Sequence, residues 1–72
     1  MSDLSRKLHS NIELITVAFW GRTIPDENLN NAFDFGCSVM DELNNGTKLP
    51  ETMVIEAIEW IAEAFKEYEF AM

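Results

Sequence analysis

Residues 50–70 read PETMVIEAIEWIAEAFKEYEF, and the fold follows from how this stretch is patterned. Val54, Ile58, Ile61, Phe65 and Tyr68 recur at three- and four-residue steps, the spacing that lines one face of an α-helix. Pro50 with Glu51 beside it marks a helix start. Proline lacks the N–H that a first turn leaves unbonded, and an acid suits the positive end of the helix dipole. The interior is rich in Ala and Glu, both strong helix formers. The sequence predicts a helix over 50–70.

The segment before it has the same design. Ile24-Pro25-Asp26 matches Leu49-Pro50-Glu51 at a spacing of 25, and Ala32-Phe33-Asp34-Phe35 matches Ala57-Ile58-Glu59-Trp60. One burial pattern obeyed by two helices accounts for this without a duplication. The second helix is expected from Pro25 to Asn44, with the stripe Leu29, Phe33, Gly36, Met40 and Leu43. Asn44, Asn45 and Gly46 stop it, as residues that tolerate left-handed backbone. The first helix is expected from Ser2 to Gly21, with Ser2 as N-cap, Asp3 in the first turn and the stripe Leu4, Leu8, Ile12, Ile15 and Phe19. Three stripes facing one another predict an all-α three-helix bundle with short loops, in one domain spanning 1–72. Gly36 is unfavourable in mid-helix. Its place on the stripe predicts close approach of another helix.

A chain of 72 residues buries only about 60–65% of its unfolded surface. Short domains compensate with disulfides, metals or oligomerisation. One cysteine, Cys37, and one histidine, His9, exclude an internal disulfide and a Cys/His zinc site within one chain. Oligomerisation remains, and no cofactor or metal is expected. Several large apolar residues fall off the stripes at ~100° per residue. Leu14 and Val17 point away from the first helix's core face, and Trp20 lies off its edge. Phe35 and Trp60 each lie ~110° from their stripes at matching positions. Phe70 falls among acids. Such residues either cover the edges of the bundle or form a patch that buries against a second chain. The second reading predicts a homodimer through helix 1 and the edge aromatics.

Charge is unevenly placed. Residues 26–72 hold eleven of the thirteen acids and two of the five bases, which leaves them at −9 and residues 1–25 at +1. Glu27, Asp34 and Asp41 recur at seven-residue spacing on the second helix, and Glu56, Glu59, Glu63 and Glu67 line one face of the third. Lys66 is the one base the third helix offers them, with Glu59 and Glu63 its expected partners. Like charges one turn apart repel by a few tenths of a kcal/mol, so the row gains nothing within its own helix. It either keeps the protein soluble or meets a basic surface. Carboxylates on successive turns stand ~5–6 Å apart, comparable to phosphates along a nucleic-acid strand. The expected binding residues are Asp34, Asp41, Glu56, Glu59, Glu63 and Glu67, with Phe35 and Trp60 as aromatic anchors.

Other chemistries fail on their residues. Asp26, Asn28 and Asn30 fit the first ligands of an EF-hand, but Asn31 stands where glycine is needed and Cys37 where a bidentate Glu is needed. In size, acidity and helicity the chain resembles acyl carrier proteins. That family carries its prosthetic group on Asp-Ser-Leu at the start of its second helix, whereas Ser38 lies mid-helix between Cys37 and Val39. Cys37 lacks an evident base, and a buried, inert thiol is expected. No catalytic residue is expected and the chain is read as a non-enzyme. Helices this acidic do not recognise nucleic acid or anionic membrane directly. No apolar run approaches a membrane span and the polar start is unlike a signal peptide, so a cytoplasmic protein is expected.

The sequence thus predicts a small acidic inhibitor or modulator that occupies a basic surface on a larger protein, with a nucleic-acid-binding protein as one such partner. Bacteriophages direct compact acidic chains of this character against host machinery. The alternative is a self-assembling scaffold subunit, in which Leu14, Val17, Trp20 and Trp60 act and the acids only solubilise.

Overall fold

The computed structural model describes residues 3–71, so Ser2 lies outside the described residues. Three helices follow one another: α1 (Asp3–Ala18), α2 (Glu27–Asn44) and α3 (Glu51–Ala71). All three pack on one another, and α2 with α3 forms the most extensive interface. The all-α, three-helix expectation therefore holds. Asn11 of α1 donates its side-chain amide to the Ile58 carbonyl of α3 at 3.2 Å. Further along both helices, the Phe19 and Tyr68 rings meet edge to face at 5.5 Å. Thus α1 and α3 run parallel, with α2 antiparallel to both. The longest dimension, 37 Å, is set by α3, since 21 residues rise about 31 Å at 1.5 Å each.

Every residue of the expected stripes is buried or half-buried. Leu8 and Ile15 from α1, Leu29 from α2 and Ile61 from α3 are the large side chains removed fully from water. The stripes omit part of the core, however. Ala32, Val39, Ala57 and Ala64 are also buried. Together with Gly36 the three alanines put small residues on α2 and α3, which lets those backbones come close. A Cβ on Gly36 would stand 2.5 Å from Ile61 Cδ1 and 3.5 Å from Leu8 Cδ1. The glycine is required by the side chains of both neighbouring helices.

The helix ends differ from expectation in instructive ways. Helix 1 ends at Ala18, not Gly21. Gly21 instead takes φ +71° in the turn that follows, where a residue with a Cβ would be strained. Arg22 reaches back, donating from its guanidinium to the Ala18 carbonyl while lying 5.8 Å from the centre of the Phe19 ring. Helix 2 begins at Glu27, and Pro25 lies outside it. Asp26 is the N-cap, with extended backbone and a carboxylate that accepts from the Leu29 N–H at 2.9 Å. In α3 the residue after proline, Glu51, is already helical. The two Pro–acid pairs match in sequence but stand one position apart relative to their helices. At the end of α2, the Gly46 N–H bonds the Leu43 carbonyl (3.1 Å) and the Thr47 N–H bonds the Glu42 carbonyl (3.0 Å). This is the paired C-terminal closure that needs a left-handed residue. Gly46 supplies it at φ +83°, whereas Asn45 stays at φ −83°.

Candidate protein-binding faces

The acids of α3 lie on the edge that faces α2. Glu56, Glu59, Glu63 and Glu67 line a shallow groove of about 470 Å3 with Asn28, Trp60 and Ala64. The 3.6-residue period places these four acids on one strip, and the helix dipole does nothing to select them, since all four lie beyond the first turn. Trp60 is held in place from two sides. Its indole N–H donates to the Asn28 side-chain oxygen at 3.0 Å, and its ring meets that of Phe35 at 5.7 Å. The structure thus brings Glu56, Glu59, Trp60, Glu63 and Glu67 together.

Phe35 and the α2 acids are placed differently from the expected row. Phe35 is half-buried and supports Trp60 from behind. The two aromatics pack on each other because both helices turn the same off-stripe flank toward their shared interface. Asp34 and Asp41 are exposed but do not line the α3 groove. They flank Cys37 instead. Burial, then the fields of Asp34 and Asp41, push the Cys37 thiol above its ordinary value, so near neutrality it is the protonated, poorly nucleophilic form. The cysteine is half-buried, not fully enclosed. His9 lies 3.8 Å from Glu13 on its own helix. The oxygens that suggested an EF-hand are in use, Asp26 as a helix cap and Asn28 as the partner of Trp60. Among the described residues no group of three or more His, Cys, Asp or Glu side chains gathers to hold a metal, and no helix is long and apolar enough to cross a membrane.

Lys66 joins neither Glu59 nor Glu63. Among the described residues it has no carboxylate within 4.0 Å. It lies between the two edges of α3, beside Glu63 and Glu67 on one side, and on the other lining with Asn11, Leu14, Ile61, Ala62, Phe65 and Glu69 a second groove, of about 300 Å3, against α1. Leu14 on its rim is 58% exposed, Val17 72% and Trp20 78%. Val17 is diametrically opposite the buried face of α1 at ~100° per residue. Trp20 lies past the end of the helix, by a small hollow formed with Phe19, Gly21 and Ile24. Phe70 is 80% exposed and lies with Glu63, Lys66 and Glu67 on the outside of α3.

Three contributors went unnoticed in the sequence. Asn28 lies seven residues before Phe35 and hence on the same helical face, a spacing that could have tied it to Trp60. Ala62 and Glu69 stand seven apart on the α1 side of α3, masked by the more numerous acids of the other edge. No family model, curated protein or solved structure matches this chain.

Proposed function

We propose that this chain is a small acidic protein-binding inhibitor or modulator, of the kind bacteriophages use, that occupies a basic surface on a larger protein in the cytoplasm. The observation that carries this reading is the convergence of Glu56, Glu59, Glu63 and Glu67 on one groove around a braced tryptophan. A row of four carboxylates, with Lys66 beside it but in no ion pair with any of the four, resembles a strand of phosphates, so a Lys/Arg groove that normally holds nucleic acid is the fitting partner class. Trp60 adds a flat ring on which an arginine can stack. An aromatic anchor within charged surroundings is a common binding hot spot. Asp34 and Asp41, on the outer side of α2, extend the negative field that steers association. The role needs no catalytic step, cofactor or metal.

The test is a pull-down from host lysate eluted in a salt gradient, repeated with Glu59→Lys plus Glu63→Lys. Binding that is released by rising salt and abolished by the double reversal, with helical content intact, is expected. Retention of the same partner by the reversed protein would sink the proposal.

A second reading is favoured by the exposure of Leu14, Val17 and Trp20. That exposure fits a homodimer through α1 and the edge aromatics, which the inhibitor also allows, and in the alternative function the chain is a self-assembling scaffold subunit whose acids only solubilise. Silence of the Glu59 and Glu63 reversals, with loss of function on Trp20→Ala or Val17→Asp, would select the scaffold.

A further inference from the structure

We infer that the face formed by α1 and α3 is self-complementary and pairs with a second copy of this chain about a two-fold axis parallel to the helices. The inference rests on the homodimer part of the reading above and specifies its surface. Three observations converge. First, the face is apolar where α1 and α3 meet, with Leu14 exposed on the rim of a groove that includes Ala62 and Phe65, and Val17 exposed beyond it. Second, the same groove has one charge of each sign, Lys66 and Glu69, and Lys66 has no carboxylate within 4.0 Å among the described residues. Third, the chain has a net charge of −8, with most of its acids on the α2-facing edge of α3 and the outside of α2, and only Glu69 among the acids lines this groove. Two copies repel when those edges meet, and least when the α1 sides meet.

Geometry selects the two-fold. Because α1 and α3 run parallel, with Leu14 at the level of Ile61 and Ala62, an axis along the bundle preserves those levels. Helix α1 of each copy then lies on α3 of the other, with Leu14 over Ala62 of the second copy. The two α3 helices are then diagonal across the axis, about 11–14 Å apart for neighbours spaced 8–10 Å, and Lys66 of each copy reaches toward Glu69 of the other over that gap and about 4.5 Å of rise because both side chains are long. A closed two-fold contact uses the same patch twice, so a patch holding both signs satisfies itself. A strongly basic or strongly acidic partner would leave one of the two charges opposed.

Sedimentation equilibrium tests this on the full chain. The wild type should approach twice the 8.3 kDa chain mass as concentration rises, and salt should not weaken it. Val17→Asp and Leu14→Asp should each weaken pairing by about tenfold or more, with circular dichroism unchanged because both positions are exposed. Lys66→Glu and Glu69→Lys should each weaken pairing roughly tenfold, since each puts like charges together twice in the dimer. The deciding measurement mixes those two variants. Native mass spectrometry should find the mixed pair in preference to either pure pair, because both cross-contacts are again of opposite sign. A monomeric wild type, or a mixture that forms no preferred mixed pair, would overturn the inference. A dimer lost on Glu59→Lys plus Glu63→Lys would also overturn it, by moving the contact to the acidic edge. None of these outcomes alters the salt-released binding of a basic partner, which stands or falls separately.

Discussion

Gly36 shows how a single position is fixed by its surroundings. Mid-helix glycine is unfavourable by about 0.5–1 kcal/mol relative to alanine, yet the space above it is taken by Ile61 Cδ1. Gly36→Ala therefore gains propensity and overpacks the α2–α3 contact. Overpacking typically costs about 1–3 kcal/mol, so a net loss near 1 kcal/mol is expected. Ile61→Val removes the obstructing methyl and alone costs about 0.5–1.5 kcal/mol. The double variant should be more stable than the sum of the two effects, as contacting residues couple. Denaturant titration of all four proteins checks this, and strict additivity would contradict it. Cys37 makes a second prediction at the same scale. Its folded pKa is raised by burial and by Asp34 and Asp41. A group raised in the fold favours its protonated form there. The stability tied to that form is fully present below the ordinary thiol value of about 8.5, and it is lost as pH rises through the folded value. Alkylation of the thiol should reach half its limiting rate at a higher pH than in a short peptide, and Asp34→Asn plus Asp41→Asn should bring that pH down. An unchanged profile in the double variant would leave burial as the sole cause.

Among the elements, α2 and α3 begin alike in sequence and differently in structure. Asp26 bonds the Leu29 N–H, one of the donors a helix start leaves open. Glu51 is one residue further in and has the place of a first-turn acid. Asp26→Ala should therefore cost about 1 kcal/mol. Glu51→Ala should cost only the dipole contribution, about 0.3–1 kcal/mol at low salt. Thermal melts at low and high salt separate them: the Glu51 effect should fade with salt and the Asp26 effect should persist. Equal salt sensitivity would show that Asp26 acts as a charge and not as a cap. The existence and type of all three helices were legible in the sequence because a 3.6-residue apolar period is a local signal. The ends were less so, since both Pro–acid pairs permit a start at either residue. Choosing between them depends on one cap hydrogen bond that composition does not reveal.

For the molecule as a whole, charge and burial are divided between two edges of α3. One edge gathers four glutamates around Trp60, the other holds Phe65, Lys66 and Glu69 against α1. The glutamate edge stores repulsion, since Glu59, Glu63 and Glu67 follow one another at four-residue steps. Glu63→Lys should relieve two such contacts and raise stability by a few tenths of a kcal/mol. Under the proposed function it should weaken partner binding at the same time. Greater stability with poorer binding is the mark of a charged row kept for recognition. If melting and pull-down show neither change, the row is surface charge alone.

Periodicity, caps and charge counts are properties of short stretches, and they were sufficient for the three helices, the stripes and the imbalance between the acidic and near-neutral parts of the chain. How far each helix is rotated about its own axis is a property of packing, set by which side chains fit between neighbours. The small residues Ala32, Ala57 and Ala64 are as ordinary on a surface as in a core, and only the approach of α2 to α3 around Gly36 buries them. That same approach turns Phe35 and Trp60 from two separate exposed aromatics into one pair, and separates Asp34 and Asp41 from the glutamate groove. It also leaves Lys66 beside Glu63 and Glu67 but turned into the groove against α1, without an ion pair to the acids it was expected to neutralise.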